Sequence, residues 1–241
     1  MTRVTASNLV KEAEAKHLPI IEGYWPKDAG RVNGTFEAIV CMNVLAHVDK
    51  PKDFLEACEK ALAPGGVIII QPSQARMFEN CEFDTCYHEH ISFFNSRSIN
   101  ALANSVGLEL KATSLVKIHG DSPVYFLAKK NDRAFKDPSP FFRIGDFAID
   151  EDLFAYENRV GIFNSKTYDD FSNRSQLVLR RFKKQVEDHR ALGYQIVFVG
   201  AAAKAMTVIN ASGVKPDFFL DEALLKIGKI APGVGVVIEP A

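Results

Sequence analysis

An excess of charge of either sign is missing from this sequence. Its 241 residues hold 29 Lys and Arg against 30 Asp and Glu. There is no basic stripe to meet nucleic acid, and no like-charge block marks a tail. Paired cysteines are missing too. Cys41, Cys58, Cys81 and Cys86 form no CxxC, and the one close spacing, Cys81 to Cys86, has no second half to complete a zinc tetrahedron. Free thiols in a reducing cytoplasm are the expectation, without a bound metal. No apolar run reaches the length needed to cross a bilayer, and no signal peptide opens the chain, so a cytoplasmic protein with no membrane partner is expected. Internal repeats and low-complexity segments are also lacking. What is present is apolar material, 47% of the residues, enough to fill one large or two ordinary domains.

That material is patterned as α/β. Residues 5–16 read as a helix capped by Thr5 or Ser7, and Pro19 to Gly23 as a short strand. Phe36 to Met42 and Val67 to Ile70 are apolar runs of the kind a doubly covered parallel strand requires. Between them Asp49 and Pro51 start a helix through Lys60, and Ala63-Pro64-Gly65-Gly66 is expected to turn the chain. A helix from Asn95 or Ser96 to near Gly107 follows, then two extended segments, Leu108 to Ile118 and Ser122 to Lys129, read as the closing strands of the first sheet. Residues 131–150 hold Pro138 and Pro140 and no clear period, and are expected to link a domain at 1–130 to a second at 151–241. The second part reads as helices over 149–163 and 169–192, then a strand at 195–199, a turn and helix through Gly200 to Ile209, and a strand at 217–221. Strands alternating with helices imply right-handed crossovers and a parallel sheet, with ligands beyond the carboxyl ends of the strands.

The chemistry concentrates in Phe83-Asp84-Thr85-Cys86-Tyr87-His88-Glu89-His90-Ile91-Ser92-Phe93-Phe94. A phenol, a carboxylate and two imidazoles occupy four consecutive positions beside water-excluding rings, which suits proton abstraction. An extended segment would set Tyr87 and Glu89 against His88 and His90; a helix or turn would regroup them. A surface loop with idle histidines is the alternative.

Several stretches resemble one family. Asn43-Val44-Leu45-Ala46-His47-Val48, followed by Leu62-Ala63-Pro64-Gly65-Gly66-Val67-Ile68, looks like the middle of an S-adenosylmethionine-dependent methyltransferase domain. Phe83 to His90 with Phe93-Phe94 resembles the active-site segment of the C-methyltransferases that act on nucleotide-linked keto-deoxysugars. His119-Gly120-Asp121-Ser122 resembles that family's His-Gly-Gly-Ser turn, with Asp121 in place of a glycine. Gly200-Ala201-Ala202-Ala203-Lys204, Asn210 and Asp221 with Leu225, Lys226 and Gly228 resemble its C-terminal Rossmann-like domain. The family's zinc domain, glycine-rich cofactor turn and later strand-helix units find no match here. The resemblance therefore implies a central portion of that architecture: an incomplete Rossmann-like methyltransferase sheet followed by a smaller Rossmann-like domain, with a partner chain to supply missing strands as one expectation.

The resemblance implies deoxysugar biosynthesis, with S-adenosylmethionine as cofactor and a nucleotide sugar as substrate. His90 would be the base that removes the α-proton, and Glu89 and Tyr87 would orient it or contact the sugar, Tyr87 with the option of donating to the developing oxyanion. Asn43, Val44, Ala46, His47 and Tyr24 would line the cofactor pocket. His88, His119, Gly120, Ser122, Gly200 and Lys204 would meet the substrate, the last two through the anion preference of a helix start. Against each stands a plainer role: core packing for His90 and Tyr24, a hairpin turn for Gly120 and Ser122, a tight turn for Gly200. A truncated, non-catalytic paralogue or fragment that keeps only nucleotide-sugar binding, or a subunit-interaction role, is the alternative function.

Overall fold

The computed structural model describes residues 3–5, 7–18, 20–72, 76–118, 120–138, 148–149 and 151–241. Strands β1 (Arg3–Thr5) and β2 (Ile20–Glu22) pair in parallel around helix α1 (Ser7–Ala15) as a two-stranded sheet. A five-stranded sheet follows, with β3 (Phe36–Met42), helix α2 (Pro51–Ala61), β4 (Leu62–Gln71), helices α3 (Met77–Asn80) and α4 (Ser96–Asn104), β5 (Leu108–Val116), β6 (Ser122–Lys129) and β7 (Ala148–Ile149) in chain order. Its spatial order is β3-β4-β6-β5-β7. The chain continues through α5 (Leu153–Val160), α6 (Ser165–Ala191), β8 (Val197–Val199), α7 (Ala203–Ser212), β9 (Phe218–Asp221) and β10 (Ile238–Pro240). These last three strands form a parallel sheet in the order β10-β9-β8.

Two compact units result. One comprises Met1–Ala75 with Ile91–Tyr156, the other Arg76–His90 with Glu157–Ala241. In the first, β3 and β4 run parallel, joined by α2, which starts on Pro51 and buries Phe54, Leu55 and Cys58. The sheet is mixed rather than wholly parallel, because β6 lies antiparallel to β5, as a hairpin-linked pair of strands must, and antiparallel to β4 on its other side. Ile69, Val116, Val124 and Phe126 form a core on one of its faces. The Pro64-Gly65-Gly66 turn is absorbed into β4, at the register shift opposite Phe36 to Ala38. Glycine is needed at position 66: a Cβ there would lie 2.8 Å from Leu62 Cδ1 and 3.0 Å from the Phe36 carbonyl. Helix α4 is closed by a capping box, with Ser98 N donating to Asn95 Oδ1 and Asn95 N to Ser98 Oγ, both at 2.9 Å.

The second unit takes a piece from the middle of the expected first domain. Residues 76–90 join it because α3 packs on α6, with Phe78 edge-on to Tyr168 and Phe171 at 5.0 and 5.1 Å. Arg159 adds an ion pair to Glu79 at 3.0 Å, and Arg174 donates to the carbonyls of Phe78 and Glu79. Ile209, Phe219, Ala231, Val234 and Ile238 form the core on one face of the β8-β9-β10 sheet, and Phe182 of α6 stacks on Phe198. Among the described residues no helix is long and apolar enough to cross a membrane.

Candidate functional site

The Tyr87–His90 segment is a turn. The amide of His90 donates to the Tyr87 carbonyl at 3.0 Å, so Tyr87 and His90 share a side, as an extended segment would not allow. Their rings lie 4.2 Å apart by centroid, and Tyr87 Oη sits 3.0 Å from His90 Nε2. His90 Nδ1 sits 2.8 Å from the Thr85 carbonyl. That oxygen only accepts, so Nδ1 carries the proton, Nε2 presents its lone pair, and the Tyr87 hydroxyl donates to it. Both side chains are half-buried. Burial, and next to it the Glu89 carboxylate, push the Tyr87 phenol above its usual range. Glu89 and His88 are exposed, 4.0 Å apart, outside this arrangement.

Thr85 itself is fully buried, in a 3-10 turn that packs on α7. Sequence reading missed its part, because the acceptor is a backbone carbonyl that any residue would supply. Burial also raises the Cys86 thiol, with Asp84 adding to it.

In the first unit the residues expected at the cofactor gather at the carboxyl end of β3. Asn43 holds a left-handed φ of 53°, a strained backbone state of the kind that collects at binding sites, and its amide donates to the Gln71 carbonyl at 2.8 Å. Val44 and His47 are exposed, and Ala46 is buried with its carbonyl accepting from Ile91 N and Ser92 N at 2.9 and 3.2 Å. Gln71 ends β4 beside them. It is buried, and its side-chain Nε2 has no hydrogen-bond partner among the described residues. A lone amide closing the run Ile68-Ile69-Ile70 is a signal the sequence did offer. Tyr24 is exposed, while its neighbour Trp25 donates to the Phe54 carbonyl at 3.2 Å and packs toward α2.

Of the turn at 119–122, His119 lies outside the described residues. Gly120 has φ 77° and Asp121 φ 62°, so Asp121 keeps a glycine-like conformation, which aspartate tolerates better than most residues. Ser122 is buried and its hydroxyl donates to the Ile118 carbonyl at 2.7 Å, which closes the turn locally.

The remaining expected residues lie on the β8–α7 connection. Gly200 has φ 92° and its amide donates to the Leu220 carbonyl; Lys204 is half-buried in the first turn of α7. Asp221, at the carboxyl end of β9, accepts from Ala223 N at 2.8 Å, Lys226 Nζ at 3.0 Å and Ala201 N at 2.7 Å. These bonds, the Ala223 amide first and Lys226 next, hold its carboxyl below the usual carboxylate range. Among the described residues no three His, Cys, Asp or Glu gather to hold a metal ion.

Comparison with known proteins covers both parts of the chain. A methyltransferase domain model matches residues 6–113, and a C-methyltransferase C-terminal domain model matches residues 146–241. C-methyltransferase NovU of Streptomyces niveus is 30% identical over 197 residues, which are 80% of this chain and 44% of that protein. The mitochondrial ubiquinone biosynthesis O-methyltransferase of Schizosaccharomyces pombe is 33% identical over 78 residues, 29% of this chain and 28% of its own length. The chain thus spans less than half the length of these curated relatives. Among solved structures, the complex of LepI with SAM aligns with 54% of this chain and 36% of its own at TM-score 0.43 and 12% identity. Magnesium protoporphyrin IX methyltransferase of Synechocystis PCC 6803 with bound SAH aligns with 54% of this chain and 64% of its own at TM-score 0.41 and 12% identity. Most of the chain is thus accounted for by a methyltransferase domain match followed by a C-methyltransferase C-terminal domain match.

Proposed function

We propose that this chain takes part in C-methylation of a nucleotide-diphosphate keto-deoxysugar, with His90 as the base that generates the enolate. One observation carries the reading: the Thr85 carbonyl fixes the His90 tautomer at 2.8 Å, so that a neutral imidazole keeps its Nε2 lone pair for accepting a proton. A histidine that serves packing alone needs neither that fixed tautomer nor the Tyr87 phenol on its other nitrogen. The C-methyltransferase name of the relative from Streptomyces niveus points the same way.

Asn43, Val44 and Ala46 would hold the cofactor, and the orphaned donor of Gln71 fits an acceptor on it. S-adenosylmethionine, when bound, supplies the electrophilic methyl group. The chain's own residues do the rest: His90 takes the proton from the carbon flanking the ketone, Glu89 meets sugar hydroxyls, and the Gly200–Lys204 helix start meets the diphosphate. The same reading assigns His47 and Tyr24 to the cofactor and His88 and Gly120 to the sugar, while the Ser122 hydroxyl closes its own turn on the Ile118 carbonyl. Because β3 pairs only with β4 among the described residues, a partner strand at its outer edge is part of the proposal.

His90→Asn tests the base. Enolate formation, followed as exchange of the α-proton, should fall by about 100- to 10,000-fold with the sugar still bound. Turnover near that of the unmodified chain would reject the assignment. A binding-only role is the second reading, favoured by the exposed edge of β3. Titration calorimetry separates the two: heat on adding S-adenosylmethionine supports the enzyme, and heat with a thymidine-diphosphate sugar alone supports the binder.

A further inference from the structure

The lone pair of His90 is already in use. With Nδ1–H held by the Thr85 carbonyl, Nε2 accepts the one proton that the Tyr87 hydroxyl owns. Two consequences follow from counting donors. His90 reaches a substrate proton directly only by giving up the Tyr87 bond and leaving that half-buried hydroxyl to find another acceptor. Tyr87, while it donates to His90, has no proton to offer a developing oxyanion, but its phenol oxygen keeps a lone pair.

We propose, resting on the C-methylation reading above, that Tyr87 Oη is the atom that removes the α-proton, passing its own hydroxyl proton to His90 Nε2 in the same step. The C–H bond beside the ketone breaks and its electron pair enters the enolate. The carbon's proton arrives on Tyr87 Oη, the former hydroxyl proton sits on Nε2, and the resulting imidazolium keeps its Nδ1–H on Thr85. No oxidant or reductant is consumed. Tyr87 then holds a fresh proton not committed to His90, whose Nε2 has become a donor, and can turn it to the enolate oxygen. One phenol thus serves first as proton acceptor and then as oxyanion donor. The raised phenol range of Tyr87 fits this use, since a more basic oxygen accepts from carbon more readily and stays protonated at rest. Thr85 is the positioning residue. Its buried place on α7 holds the carbonyl that sets the tautomer.

The test uses a thymidine-diphosphate-linked 4-keto-6-deoxyhexose tritiated at the carbons flanking the ketone, with the full chain, and measures tritium release. Tyr87→Phe and His90→Asn should each slow release about 100-fold or more, with KM within about threefold, and the double variant should be no slower than either single one. In mixtures of light and heavy water the unmodified chain should show a solvent isotope effect with a linear proton inventory, because one exchangeable proton, that of the Tyr87 hydroxyl, moves together with the carbon-bound one. That measurement stands whether or not either variant folds. Absence of a solvent isotope effect, or a Tyr87→Phe variant that releases tritium at the original rate while His90→Asn does not, would overturn the relay and leave His90 as a direct base. A His90→Asn variant at full rate, or no release by the unmodified chain, would overturn both the relay and the function on which it rests.

Discussion

Single residues carry the sharpest consequences. The Tyr87 phenol is pushed up by burial and by the Glu89 carboxylate, so it stays protonated through neutral and moderately alkaline pH. The alkaline limb of the pH–rate profile should therefore lie above the ordinary phenol value of about 10. An alkaline fall near pH 8 would contradict this. The thiols give a check independent of activity. Cys41 and Cys58 are buried, and the Cys58 thiol is driven far up by its hydrogen bond to Cys41 and by burial. Alkylation of the native chain, read by mass spectrometry, should label exposed Cys86 first and leave Cys41 and Cys58 untouched until the chain is denatured. At this scale the density of Tyr87, His88, Glu89 and His90 drew the eye to the segment, and the structure sets Tyr87 beside His90 while Glu89 and His88 stay exposed. That geometry was not legible in the sequence, since the turn that pairs Tyr87 with His90 depends on where Thr85 packs.

Whole elements were legible wherever a period ran long enough. β3, α2, α4 and the β5–β6 pair fall within a few residues of the runs that announced them. β7 and β10, of two and three residues, carry no period to read. The Asn95–Ser98 box was visible as a cap, and Asn95→Ala should cost about 1 kcal/mol in denaturant unfolding, with the loss confined to stability. At the other end of the chain, Asp221 ties the β8–α7 turn to the residues after β9. Its carboxyl is held below the usual range, so its contribution is present above the ordinary aspartate value and lost as pH falls through the depressed one. Asp221→Asn should lower Tm by several degrees at pH 7, and the gap to the unmodified chain should close as pH drops below about 4. A gap that widened in acid would refute the linkage.

Across the molecule, what escaped the sequence was long-range. Residues 76–90 look like a loop of the first domain, yet Phe78 and Glu79 take partners some 80 to 96 positions later, and no local pattern announces that. The face of β8 and β9 opposite their core is also unexpected for a parallel sheet, which is ordinarily covered on both sides. There Val197, Val199 and Phe218 are exposed, Val199 at 72%. Val199→Lys should therefore change unfolding free energy by no more than about 0.5 kcal/mol while reducing self-association in light scattering. The claim that matters most, carbon methylation through an enolate whose formation requires His90, has a direct test. The chain, alone and with any strand-supplying partner, would be given S-adenosylmethionine carrying a 13C methyl group and a thymidine-diphosphate keto-deoxysugar, and the product read by NMR. The label should appear bonded to a sugar carbon next to the ketone and vanish with His90→Asn; a label on oxygen, or one that survives the substitution, would contradict it.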